Sequence, residues 1–580
     1  MRSGFTISIV ITFSPIFKEE PRDIKDYLQG ISRSKMLNVC SFFLGFSNTQ
    51  SKFEDFLEFL NMYFSVENSE LANSIYEKLN ALQKAEGAKL IIITPLTTLQ
   101  LFEYSFDNLD EVQTQTNSEA EVNILKAILQ LNEENIRLQD KAFDSTKDVE
   151  VSLKPAAMAL SSSYPYSEFT NYDKAEVLAS QMIKSFFLFE YLESAEQTKT
   201  ILQKFLEYFE CEDWKSFLRN LLPLTFAFLK TEKEAHIDIV IEQGDKYEAG
   251  CRFLDKLIVF DTEALQDYDF KKVRSKPFYK ADEGVYRIIF GLFVLELAHK
   301  GVYFKLSEIN NSLPQKEQVK NFRSFFCDEF SEKVMLYKTL NSIYQNRYIE
   351  YSGQQIKEQG LEGEPDYYIR NGSSLFLFES KDILINAEIK STYDFNLYEK
   401  EFKKKLYFET VNDKINKKAV LQLISNIKRV LLKQFPFDTK YKPTSIYIYP
   451  IVILHDHQFN LAGLNVITNR WFREELLKLG ESGLPIDRVQ PIVIINIDSL
   501  IFHQDLFRDK TIRLDFIIDE YIKFITFDKK RKYINEDHLK MYAERTVLNF
   551  ALFLSNYVAE NNIKRVPKLI MEKGISLVNA

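Results

Sequence analysis

Glycine and proline are scarce in this chain, 17 and 15 among 580 residues. Their scarcity argues against collagen-like or low-complexity architecture and for long regular elements. Cysteine is rarer still. Cys40, Cys211, Cys251 and Cys327 lie far apart and form no C-x-x-C pair. That excludes a disulfide framework and a cysteine-built zinc site, and it points to free thiols in a reducing compartment. No apolar run is long enough to cross a bilayer; the best, residues 290–298, is short and carries Glu296. The apolar run 5–17 follows Arg2, yet Thr and Ser interrupt it, Pro15 cuts it and no small-x-small cleavage site follows. A strand is expected there, in a soluble, cytoplasmic protein with no membrane partner. The chain has no G-x-x-x-x-G-K-[ST], so any ATPase or sensor function is to be sought in a separate protein, and no G-x-S-x-G suggests a serine nucleophile. No repeat of fixed period occurs. Positive charge is not in excess: 74 Lys and Arg face 83 Asp and Glu, a net of −9. This is no basic coat protein, although a local basic surface remains open to it.

Large apolar side chains are abundant. With 49 Phe, 30 Tyr and 45% hydrophobic residues, the chain can fill sizeable cores, and its length fits two to four domains. Residues 1–145 read as an N-terminal α/β or mainly helical region, with strand-like runs at 5–17, 37–46 and 90–93 and an amphipathic helix over 121–142. A loop-like stretch, 148–172, contains Pro155 and Pro165 and reads as a linker. A helical region over 165–310 follows, with a buried helix at 285–299. From about 315 the texture changes to α/β: a long helix over 316–344, a hairpin, a charged helical stretch over 397–434, and buried strands at 445–454 and 491–498 with a helix at 471–479 between them. Residues 526–580 read as a helical extension.

Chemistry concentrates in residues 361–382, LEGEPDYYIRNGSSLFLFESKD. With 371–374 as the loop, Arg370 pairs with Leu375 and Asp366 stands opposite Glu379. Directly paired residues have Cβ atoms roughly 4.5–5.5 Å apart. Two carboxylates so close need a cation, and Mg²⁺ prefers one or two carboxylates together with waters and phosphate oxygens. Lys381 leaves the same strand face as Glu379, while Phe376 and Phe378 point the other way into a core. Two acids and a lysine at a hairpin end suit phosphodiester hydrolysis. The triplet Glu388-Ile389-Lys390 is an alternative reading of the same pattern. From 381 to 442, fourteen Lys and Arg face eight Asp and Glu, a basic stretch suited to a phosphate backbone. His455 and His457 fit a strand-end turn better than a metal pair.

Pro365-Asp366 followed by Glu379-Ser380-Lys381 resembles the signature of the PD-(D/E)XK nuclease superfamily, over about residues 315–525. The resemblance implies an α/β (α+β) fold, a mixed sheet flanked by helices, here preceded by a large mainly helical region. It implies that Asp366 and Glu379, with the Ser380 backbone carbonyl, bind Mg²⁺ (or Mn²⁺), and that Lys381 assists the attacking water. Glu332 matches the glutamate often found on the preceding helix, with Glu329 as the alternative. Gln422 and Lys418 match the following helix, where such residues position phosphate, and Lys403, Lys404 and Lys405 would track the backbone. The implied activity is a metal-dependent (endo)deoxyribonuclease in prokaryotic restriction or anti-phage defence. Its partner would be DNA, with RNA left open. The alternative is a non-catalytic nucleic-acid-binding or helical interaction protein that keeps the nuclease fold.

Overall fold

The computed structural model describes residues 8–49, 56–107, 112–230, 236–259, 267, 269–526, 541, 543–563 and 567–578. The chain divides into two compact units, each made of two separated stretches: 5–140 with 204–305, and 141–203 with 306–580. This differs from the linear division expected above. The stretch 165–310 is split between the units, and the C-terminal helices belong with the α/β core. Among the described residues no helix is long and apolar enough to cross a membrane.

The first unit is mainly helical. Its strands are short: β1 (Ser8–Val10) pairs parallel with β2 (Lys89–Ile91), and β3 (Asp238–Val240), β4 (Phe278–Asp282) and β5 (Val285–Ile288) form a three-stranded antiparallel sheet. Buried Asn132 ties the parallel pair together, donating to the carbonyls of Ile11 and Ile92, each at 2.8 Å. The run expected as a strand at 37–46 is part of the helix Arg33–Thr49. Met36, Cys40, Phe43 and Leu44 are buried, the i, i+4, i+7, i+8 spacing of one helix face. Residues 285–299 are not one helix. The chain runs through β5 before the helix Gly291–Glu296 begins.

The second unit is built on a five-stranded mixed sheet. Its strands are β6 (Ile349–Ser352), β7 (Tyr367–Asn371), β8 (Ser374–Lys381), β11 (Tyr447–Leu454) and β12 (Val493–Asn496). They lie in the order β12-β11-β8-β7-β6. β6, β7 and β8 are antiparallel neighbours, whereas β11 runs parallel to β8 and β12. Side chains alternate along each strand. On one face Tyr368, Leu375, Leu377, Ile448 and Val452 share a core with Leu423 and Ile427 of α3 (Ala419–Leu431) and with Trp471 and Phe472 of α4 (Leu464–Glu481). The helix Lys154–Ser163 joins this core in what was expected to be a linker, and Pro155 lies in its first turn, where a missing N–H costs nothing.

The other face carries Tyr367, Phe376 and Phe378, with Tyr449 stacked on Phe376 at 5.1 Å. Two helices bring polar groups to that side. α1 (Lys174–Ser194) carries buried Lys184, whose ammonium donates to the His455 carbonyl at 2.8 Å and pairs with Asp498. α2, residues 322–344, starts as α-helix, is π-helical over Phe326–Leu336 and returns to α-helix over Tyr337–Tyr344. Expected as one charged helical stretch, 397–434 instead contains a hairpin, β9 (Phe408–Val411) and β10 (Lys414–Lys417), between its helices.

Half-buried Glu176 of α1 is pushed up to about 8 by burial and by the charges of Asp498 and Asp173. An acid whose folded pKa is raised binds its proton more tightly in the native state, so its contribution falls as pH rises from about 4.5 to about 8. Melting temperatures of wild type and Glu176→Gln, measured from pH 5 to pH 9, should agree at the acid end. The variant should be the more stable above pH 8.

Candidate active site

The hairpin forms in the expected register. Arg370 pairs with Leu375 and Tyr367 with Phe378, so Asp366 falls opposite Glu379. Asn371 also pairs with Ser374, leaving a two-residue loop in which Gly372 takes φ +60°, a conformation glycine supplies without strain. Glu379 and Lys381 continue the side of β8 that carries Leu375 and Leu377, and Asp366 shares the side of Tyr368.

The Lys381 ammonium lies 3.1 Å from Glu379 Oε2 and 3.7 Å from Asp366 Oδ2. Asp366 Oδ2 also accepts the Ser380 backbone N–H at 2.6 Å, which locks the aspartate to the neighbouring strand. Glu379 is fully buried, and its second oxygen, Oε1, has no hydrogen-bond partner. Burial pushes Glu379 well above the usual carboxylate range; the Asp366 charge adds to this and Lys381 opposes it. Asp366 is raised by burial, against the pull of Lys381. Burial works against the Lys381 ammonium, but the two carboxylates outweigh it and hold it protonated.

Glu332 joins this cluster from the π-helical part of α2. Burial and the Asp366 charge push it up to about 7, and the Tyr337 hydroxyl donates to its Oε1 at 3.2 Å. Glu329 instead pairs with Lys333 at 2.6 Å on a partly exposed face, so of the two candidates Glu332 reaches the site. π-Helical turns are frequent at functional sites because they re-aim side chains out of α-register.

The residue after Lys381 fastens α2 to the strand end. Asp382 accepts from Arg323 at 2.7 Å and from Ser331 Oγ at 2.6 Å, and its carbonyl accepts a further Arg323 bond at 2.6 Å. Burial opposes the Asp382 charge, but Arg323 holds its carboxyl below the usual range. Ser380, pointing away from the acids, is 2.7 Å from His455 Nε2, and burial pushes His455 down to about 4. Held neutral by burial, His455 supports Ser380 from behind β8. Arg323, Ser331, Asp382 and Lys184 carried no signal in the sequence, since their partners are far away along the chain; Tyr337 was missed although Glu332 is five positions away, and His455 was read only as part of a strand-end turn.

The rival triplet is not brought to this place. Glu388 is exposed in a one-turn helix, and Lys390 is buried in an ion pair with Glu168. The lysines expected to track phosphate are on the surface, but each has an acidic partner: Lys403 with Glu399, Lys404 and Lys418 with Glu409, Lys405 with Glu401, at 3.1–3.7 Å. Gln422 lies in the first turns of α3, with its side-chain oxygen buried and without a hydrogen-bond partner.

Compared with known proteins, the chain matches no family model, no curated protein and no solved structure.

Two substitutions separate strain from support in this cluster. Glu379→Gln should raise the melting temperature of the metal-free protein at pH 8, because an amide removes a buried carboxylate that Asp366 already disfavours. Asp382→Ala should lower stability by about 1.5–3 kcal/mol in urea unfolding, the cost of losing hydrogen bonds to a charged group.

Proposed function

We propose that the chain is a divalent-metal-dependent nuclease of PD-(D/E)XK type that hydrolyses DNA phosphodiester bonds. The observation that carries this reading is one ammonium, Lys381, held between two carboxylates on adjacent antiparallel strands, with a third acid, Glu332, close enough to be perturbed by Asp366. Structural ion pairs are normally balanced. Here three buried or half-buried acids share one lysine, and the raised pKa of each marks a burial and crowding of carboxylates that a bound cation would relieve.

The donor set fits Mg²⁺ or Mn²⁺. Asp366, Glu379 and the Ser380 carbonyl would hold the ion, and the unpartnered Glu379 Oε1 is a ligand atom with no other use. Bound there, the ion supplies Lewis-acid polarisation of the phosphate and a lowered pKa for water. The residues do the rest. Lys381, kept protonated, orients a water and offsets charge that builds on the phosphoryl oxygens. Glu332, steadied by Tyr337, is placed to accept a proton from that water. Asp382, Arg323 and Ser331 hold α2 against the strand so that Glu332 stays in reach. A part in restriction or anti-phage defence, alongside a separate ATPase or sensor, rests on the family resemblance alone.

The test is incubation with plasmid and linear DNA, with and without Mg²⁺ or Mn²⁺. Lys381→Ala should lose about 10²–10³-fold in rate, the usual worth of one preorganised charge-stabilising donor, while remaining folded. At a hundred times its dissociation constant Mg²⁺ should stabilise the wild type by about 2.7 kcal/mol, and the double variant Asp366→Asn/Glu379→Gln should lose that gain. Metal-dependent stabilisation without cleavage of any DNA or RNA would favour the non-catalytic binding module.

A further inference from the structure

The hairpin β9–β10 stands apart from the sheets. Among the described residues it pairs with no third strand, and all of β10 is exposed. In its register Ile415 faces Thr410 and Lys414 faces Val411, so Ile415 and Val411 lie on opposite faces of the ribbon. Ile415 is 64% exposed and Val411 44%; neither face of the tip rests on the body of the unit. A lone two-stranded hairpin is marginal in water. This one is pre-shaped by its turn, where Asn412 and Asp413 both take positive φ, 49° and 60°, the conformation of the tight turn that matches strand twist. Its base is fixed by the Lys418 backbone N–H, which donates to the Tyr407 carbonyl at 3.0 Å.

The ribbon's place follows from α3. The last turn of that helix is tied to the loop end of the β7–β8 hairpin: Tyr441 donates to the Val430 carbonyl at 2.7 Å, and Arg370 lies over the Tyr441 ring. The same turn reaches the stretch just ahead of Asp366, where Arg429 donates to the carbonyls of Gly363, at 2.6 Å, and Glu362, so α3 lies against the acid-bearing hairpin, and the ribbon leads directly into its first turn. Charge agrees. Residues 403–418 carry six lysines and two acids. Glu409 and its neighbours neutralise several of the lysines at the base, but Lys414 at the tip has no ion pair among the described residues, and Lys417 is held only by the Ser425 hydroxyl at 3.1 Å.

We infer that the β9–β10 ribbon is a duplex-DNA reader that enters the major groove beside the cleavage site. The inference rests on the nuclease reading above. The major groove of B-DNA admits a two-stranded β-ribbon, which explains a hairpin exposed on both faces. Lys414 and Lys417 would meet phosphates on the groove walls, and Ile415 offers an apolar surface to a thymine methyl. The deep, narrow major groove of duplex RNA would not accept the ribbon.

The test uses the full chain with Lys381→Ala, in EDTA, so that binding is read without cleavage. Anisotropy of a labelled mixed-sequence DNA duplex is followed across a salt series. Adding Lys414→Gln and Lys417→Gln should weaken binding about tenfold and flatten the slope of log affinity against log salt by about 0.9 for each phosphate the ribbon no longer neutralises. A second protein, with residues 409–416 replaced by Gly-Gly, should bind as weakly and no longer prefer duplex DNA to duplex RNA. If the parent protein binds DNA and both ribbon variants match it in affinity and slope, the ribbon inference falls and the nuclease reading stands. If the parent binds no duplex, both fall. If the variants change the oligomeric state and leave DNA affinity alone, the ribbon is a protein interface and the inference is wrong.

Discussion

Lys381 is the charge on which the candidate site depends. Burial works against its charge, and the same burial raises Glu379 and Asp366, a shift that the Lys381 charge opposes. Each group is kept in place by the others. The cluster resembles a clamp with one jaw short of charge: two strand-borne acids, a third from a helix, and a single ammonium between them. Much of the surrounding architecture holds that imbalance steady. The Ser380 N–H fixes Asp366, the Tyr337 hydroxyl fixes Glu332, and Asp382 binds α2 to the strand end. Without such supports, like charges in low dielectric would separate or neutralise.

The supports come from both sides of the sheet. One face is apolar and helix-covered, so β8 cannot slip without exposing Leu375 and Leu377. The other face carries a polar line from Ser380 through His455 to Lys184 and Asp498. A register shift of one residue would move Glu379 from one environment to the other. The position of the acids is thus fixed by packing on one side and hydrogen bonding on the other.

How much of this was legible in the sequence follows from the range of each interaction. The β7–β8 register was readable, because alternation, a tight turn and the spacing of Asp366 and Glu379 are all local. The sequence left Glu332 and Glu329 both open, because the π-helical aim of α2 that separates them has no local signal. The helix at Arg33–Thr49 was hidden because its Leu and Phe residues suit either structure. The helix at Lys154–Ser163 was masked by Pro155, and the ribbon by the lysines around it. The Asp382 and His455 interactions could not be read, since Arg323, Ser331 and Lys184 reach them across 51 to 271 positions. The lysines at 403–405 are a different case: their acidic partners, Glu399, Glu409 and Glu401, are near neighbours in the chain, and the i, i+4 helical spacing that pairs Lys403 and Lys405 with theirs was open to a sequence reading.

The interleaving of the two units has a consequence for how the chain is made. Each unit combines an early stretch with a later one, so neither is finished as an unbroken segment leaves the ribosome. Lys184 emerges long before His455 and Asp498, its partners behind the acid cluster. Until β11, β12 and the turn that follows have been made, α1 lacks the groups that neutralise its buried ammonium. A prematurely terminated product ending before about residue 455 would contain every acid of the cluster but lack the His455 and Asp498 groups that back β8 and Lys184. The connectivity thereby ties completion of the cluster's surroundings to near-complete synthesis.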